Sequence, residues 1–141
     1  VPVGAWLAFR LDVEQRRSEC EAAASALEEV WNDESKARLR DAFLGTGAAY
    51  AQTTYEHSAT FVDEYVAAWS ETYAELCGAT TVDHTRKEEL WSASQSCLEE
   101  RRGELAALVD EHSRRDVDCR GHSNPHSRAR FESATLLHFF V

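Results

Sequence analysis

The stretch Phe61-Val62-Asp63-Glu64-Tyr65-Val66-Ala67-Ala68-Trp69-Ser70-Glu71-Thr72-Tyr73-Ala74-Glu75-Leu76-Cys77 decides the fold. Phe61, Tyr65, Ala68, Trp69, Thr72 and Leu76 recur at intervals of three and four. That spacing puts them on one side of a helix. Val62, Val66 and Tyr73 widen the stripe, so the helix should bury against more than one neighbour. We read a helix over about residues 53–76. Its aromatic residues are first of all core. Trp31, Tyr65, Trp69 and Tyr73 are also the set that would line a ligand pocket between helices, were polar groups to converge there.

Outward from this helix the pattern repeats. On the N-terminal side, Cys20, Ala23, Ala24, Leu27 and Val30 share one face of a helix read over about residues 11–30. Trp31 follows, and Asn32 or Asp33 can cap a second helix by accepting a hydrogen bond from its free N–H groups. That helix is read over residues 34–44, with Leu39, Ala42 and Phe43 apolar. Gly45-Thr46-Gly47 ends it, because glycine tolerates the left-handed conformation. On the C-terminal side, residues 78–85 read as a connection. Leu90, Ser94, Cys97, Leu98, Leu105, Leu108 and Val109 then hold the apolar face of a fourth helix over about residues 87–112. Arg101 and Arg102 have Glu99, Glu100 and Glu104 within pairing distance along it. Helices joined by short loops pack as neighbours, so the expected fold is all-α: an antiparallel bundle of about four helices over residues 11–115.

The two ends differ from this body. Residues 1–10 open with an apolar run, Val1-Pro2-Val3-Gly4-Ala5-Trp6-Leu7-Ala8-Phe9, closed by Arg10. Nine residues cannot span a bilayer, which needs about twenty, but they could be the exit end of a truncated span with Trp6 at the interface. From about Asp116 to Val141 the acidity and the helical period both stop, and an irregular, poorly ordered tail, divergent from the body, is expected.

Composition narrows the function classes. The chain has 141 residues, enough for one domain, and only two prolines and six glycines. A formal charge of −10 repels phosphate backbones, so no nucleic-acid partner is expected. Four cysteines, Cys20, Cys77, Cys97 and Cys119, form no C-x-x-C pair, which removes the redox-motif and zinc-ribbon readings. Cys119, His122 and His126, with His112 or Asp116 as a fourth ligand, have zinc-like spacing but no framework around them. His57 and His84 could serve a cysteine nucleophile only if the fold brought them to Cys77 or Cys97. Gly45-Thr46-Gly47 lacks the further glycine and lysine of a phosphate cradle. No catalytic residue, metal or cofactor is assigned.

One resemblance covers about ninety residues. It is carried by Cys20, Ala22-Ala23, Val30-Trp31-Asn32-Asp33, Arg40, Ala42-Phe43-Leu44, Thr46-Gly47 and Tyr50-Ala51. It continues through Tyr65, Ala68-Trp69, Tyr73, Cys77, Ala79-Thr80, Cys97-Leu98-Glu99, Arg101, Glu104-Leu105 and Leu108-Val109. In order and spacing these resemble a segment of large myxobacterial-type serine/threonine protein kinases, between the single membrane span and the tetratricopeptide repeats. The kinase glycine loop, catalytic Asp loop and Asp-Phe-Gly are absent here. The resemblance therefore implies a non-catalytic linker or sensor of a membrane-bound parent, extracytoplasmic, with an unidentified protein partner and membrane contact only through the N-terminal stretch. The alternatives are a small-molecule sensor using the aromatic set, or a degenerate gene fragment without a function of its own.

The resemblance also matches Cys20, Cys77 and Cys97 to cysteines of the family segment. A Cys77–Cys97 disulfide is expected, clamping consecutive helices and leaving Cys20 for a partner. It requires the chain after Gly78 to fold back at once. Were that stretch helical, Cys97 would lie roughly 18 Å too far along, and Cys20 would become the better partner.

Overall fold

The computed structural model describes residues 2–114. Every element among them is helical: α1 (Val3–Ala24), a short 3-10 turn (Ala26–Glu29), α2 (Asp33–Gly45), α3 (Ala51–Thr81) and α4 (Glu88–Arg114). The expected all-α bundle is what forms. The zinc-spaced Cys119, His122 and His126 and the whole stretch 116–141 lie outside the described residues.

The chain between α1 and α2 turns a corner in which nearly every polar group is used. The helix read over 11–30 stops at Ala24, where the Ser25 hydroxyl donates to the Ala22 carbonyl at 2.8 Å. Leu27, fully buried, accepts from both Val30 N and Trp31 N. Asn32 then caps α2. Its Oδ1 accepts from Ser35 N at 3.1 Å while Ser35 Oγ accepts from Asn32 N at 2.9 Å, a reciprocal capping box. The Asn32 Nδ2 group donates to the Glu28 and Glu29 carbonyls, so one side chain ends one element and starts the next. At the far end of α2, Gly47 takes a φ of +70°, as expected for a glycine just beyond a helix.

Three pairs set the direction of this arm along α3. Cys20 meets Cys77, Trp31 meets Asp63 and Phe43 meets Tyr55. As the first number rises the second falls in step, so α1 and α2 follow one another antiparallel to α3. Helix α4 returns antiparallel to α3, with Trp69 at Leu98 and Tyr73 at Trp91. The bundle is thus three rods, the first broken at the corner, with α3 at the centre touching α1, α2 and α4.

Two faces differ from the spacing-based reading. On α3 the buried residues are Ala51, Val62, Trp69, Tyr73, Cys77 and Thr80, whereas Phe61 is 42 % exposed and Ala68 and Thr72 face solvent. The core stripe is rotated by about one residue because α3 must serve neighbours on two sides. On α4 the seam is Trp91, Leu98, Leu105 and Val109, and Leu90 and Cys97 are exposed. Trp91 completes a seven-residue repeat with Leu98 and Leu105 that the three-and-four count passed over. Helix α3 also runs on through Gly78 to Thr81, past the expected end. Thr80 and Thr81 donate their hydroxyls to the Leu76 and Cys77 carbonyls, and the connection begins only at Val82. It turns at His84, whose φ is +53°.

Candidate functional site

The extension of α3 decides the cysteines. With residues 78–81 helical, Cys97 cannot reach Cys77, and the expected Cys77–Cys97 pairing is replaced by Cys20–Cys77. Cys97 is a free, exposed thiol. The bonded sulfurs sit among buried side chains of α1 and α3, with Thr81 Oγ 3.3 Å from Cys20 Sγ. One turn earlier on α1, Arg16 donates to the Thr81 carbonyl at 3.4 Å and pairs with Asp12 at 2.9 Å. α1 packs chiefly on α3 and makes no substantial contact with α2 or α4, and the disulfide ties it covalently to that one neighbour.

N-terminal to that anchor, α1 runs past the end of α3. Residues 2–12 are all exposed, and they include Val3 (74 %), Trp6 (52 %), Leu7, Phe9 (64 %) and Leu11 (70 %). The apolar run expected to stand apart as residues 1–10 is thus continuous with α1 from Val3. Among the described residues no helix is long and apolar enough to cross a membrane.

The aromatic set is divided between two places. Trp69 and Tyr73 are buried, their rings 5.3 Å apart, and Tyr73 meets Trp91 edge-on at 5.4 Å. The Trp69 indole N–H donates to the Leu98 carbonyl at 2.9 Å, tying α3 to α4. Trp31 lies in the other interface, where its N–H donates to Asp63 at 2.7 Å. Both indole N–H groups therefore have internal acceptors, and these rings serve as core. Tyr65 is half-buried on the α4 side, and burial pushes its phenol above the ordinary value.

Trp31, Lys36 and Asp63 form a polar clasp at the edge of the core. Lys36 Nζ is 2.8 Å from Asp63 and 5.5 Å from the centre of the Trp31 ring, so one ammonium serves both an ion pair and a cation–π contact. Hydrogen bonding from Lys36 holds the Asp63 carboxyl below the usual range, burial opposes this, and the Trp31 N–H adds to the lowering. A second link, Arg102 to Glu29 at 3.3 Å, joins α4 to the corner, while Arg102 also reaches Glu99. Arg101 pairs with Glu104 at 2.7 Å, which raises its already high value.

The nucleophile reading fails at Cys77, because a disulfide sulfur is not a thiolate. Among the described residues no group of His, Cys, Asp and Glu could hold a metal ion. No protein-family model matches the chain, and no curated protein and no solved structure matches it.

Proposed function

We propose that this chain is a non-catalytic helical spacer from a membrane-bound serine/threonine kinase, setting the distance and orientation between the segments that flank it. The observation that carries the reading is where the chain enters and leaves. Because α1 and α4 both run antiparallel to α3, the N-terminal helix enters at one end of the bundle and α4 leaves at the other. α3, with 31 residues, is about 46 Å long at 1.5 Å per residue. A spacer must resist hinging at its entry, and the Cys20–Cys77 bond fixes the incoming helix to the central rod. Internal use of the aromatic rings fits a structural part better than a ligand-sensing one. The disulfide also favours an oxidising, extracytoplasmic setting, in keeping with the kinase resemblance. Phosphoryl transfer would belong to another part of the parent.

The test is an end-to-end distance. Spin labels at Glu14→Cys and Ala107→Cys, with Cys97 and Cys119 changed to Ser and the native disulfide kept, would be read by pulsed electron resonance. A narrow distribution centred at about 35 Å is expected from the helical rise. A broad one would end the spacer reading. Kinase parentage is tested separately by the flanking coding sequence in all frames, where an upstream kinase domain and downstream tetratricopeptide repeats are expected.

A further inference from the structure

We infer that the face where α3 and α4 meet beside Phe61 and Tyr65 is a docking strip for residues 134–141 of this same chain. Two large side chains on that face are incompletely covered. Phe61 is 42 % exposed and Tyr65 is half-buried. The register of the helices brings a third beside them. Tyr65 is close enough to Arg101 and Glu104 of α4 to feel their charges, and α3 and α4 run antiparallel. One turn further toward the end where α4 leaves, the half-buried Leu108 comes level with Phe61. Phe61, Tyr65 and Leu108 thus form a short apolar strip. Exposed Glu64 and Glu111 lie on the same side, each three residues from a member of the strip on its own helix. Arg101, beside Tyr65, is already paired with Glu104.

Size, reach and composition together choose the occupant. A stable interface with a separate protein buries about 800 Å² on each partner, and three partly covered side chains supply only a fraction of that. A covalently joined segment competes at an effective concentration on the order of millimolar, well above that of a second copy in dilute solution. The reach is ample. Leu108 lies six residues before Arg114, about 9 Å along α4, whereas Ala134 lies twenty residues beyond Arg114, a chain able to extend over about 66 Å. The composition fits both parts of the path. Residues 136–141 read Leu-Leu-His-Phe-Phe-Val, five of six apolar, and such a run gains by leaving water. From Cys119 to Phe131 there are three arginines, two histidines and no acidic residue in a chain of net −10. The stretch that must pass over the bundle to reach the strip is therefore attracted by Glu64 and Glu111.

Loss of this contact would leave the distance between residues 14 and 107, and so the spacer reading, unchanged. The test uses the full chain with Cys97 and Cys119 changed to Ser, the native disulfide kept, and a nitroxide on His138→Cys, the polar position of the apolar run. Nuclear magnetic resonance reads which amides the nitroxide broadens. Expected is broadening at least tenfold stronger around Phe61, Tyr65 and Leu108 than around Glu14, and its loss in Phe61→Asp. An unchanged helical circular dichroism spectrum in that variant separates lost docking from lost folding. Phe140→Asp, which alters the docking segment rather than the strip, is the second variant and should abolish the broadening equally. Broadening that is absent, that is spread evenly over the body, or that persists in Phe140→Asp would overturn the proposal. So would broadening that arises only between copies, read in a mixture of nitroxide-bearing chains with isotope-labelled chains that carry none, since a second copy would then be the partner.

Discussion

Replacing Cys20 and Cys77 together by alanine removes the covalent anchor of α1 and should lower stability by about 4 kcal/mol. The two cysteines are 57 residues apart, and in the chain-entropy account a cross-link closing a loop of that length restricts the unfolded chain by about 4 kcal/mol at 25 °C. Little is recovered in the folded state, because both positions are more than 90 % buried and alanine leaves unfilled space where the sulfurs were. Unfolding entropy is about 2.1 cal/mol/K per residue. For a folded body of roughly a hundred residues, the loss becomes a fall in melting temperature of about 19 °C. The double variant is preferable to chemical reduction, because the exposed Cys97 thiol could exchange with a newly freed partner. Thermal melts by circular dichroism give the magnitude, and amide hydrogen exchange gives the location. α1 has no other helix than α3 to hold it, so its amides around Glu14 to Ala24 should lose protection before those of α3 and α4. A melting temperature within about 3 °C of wild type, with α1 protection retained, would show that packing alone anchors the helix and refute the reasoning.

Asp63→Asn should destabilise the protein at neutral pH by less than about 1 kcal/mol, since the Lys36–Asp63 pair is partly exposed and screened. A carboxyl whose folded value lies below the model value of 3.8 contributes stability that is present above that value and lost as pH falls through the folded one. The gap between wild type and variant, followed by urea melts, should therefore close below about pH 4. Gly103→Ala should stabilise α4 by about 0.5–1 kcal/mol, because glycine is a poor residue for a helix interior and nothing lies within 4 Å of the added methyl carbon; a lower melting temperature would contradict this. Leu105→Ala should cost about 2–5 kcal/mol, as Leu105 is 1 % exposed in the α4 seam, and chemical denaturation would measure it.

The sequence by itself determined that the body is helical and roughly where each helix lies, although α1 begins at Val3 and stops at Ala24 and α3 runs on to Thr81. Apolar residues at intervals of three and four announce α3 and most of α4. The Asn32 cap and Gly47 mark the limits of α2 because they act through groups only a few residues away. Local hydrogen bonds and side-chain spacing suffice for such features. Trp69 and Tyr73 were equally legible as buried, since large apolar surface leaves water in a compact arrangement, whereas Phe61 on the same stripe is exposed. What only the tertiary structure decided is which neighbour each face meets. The rotation of the α3 stripe away from Phe61 and toward Cys77 depends on α1 and α4 competing for the same central helix. The burial of Trp91 depends on Tyr73 being across from it, and the pairing of Cys20 with Cys77 depends on α3 continuing four residues past Cys77. Partners tens of residues apart in sequence are brought together by packing on several sides at once, and no periodicity within one segment records that.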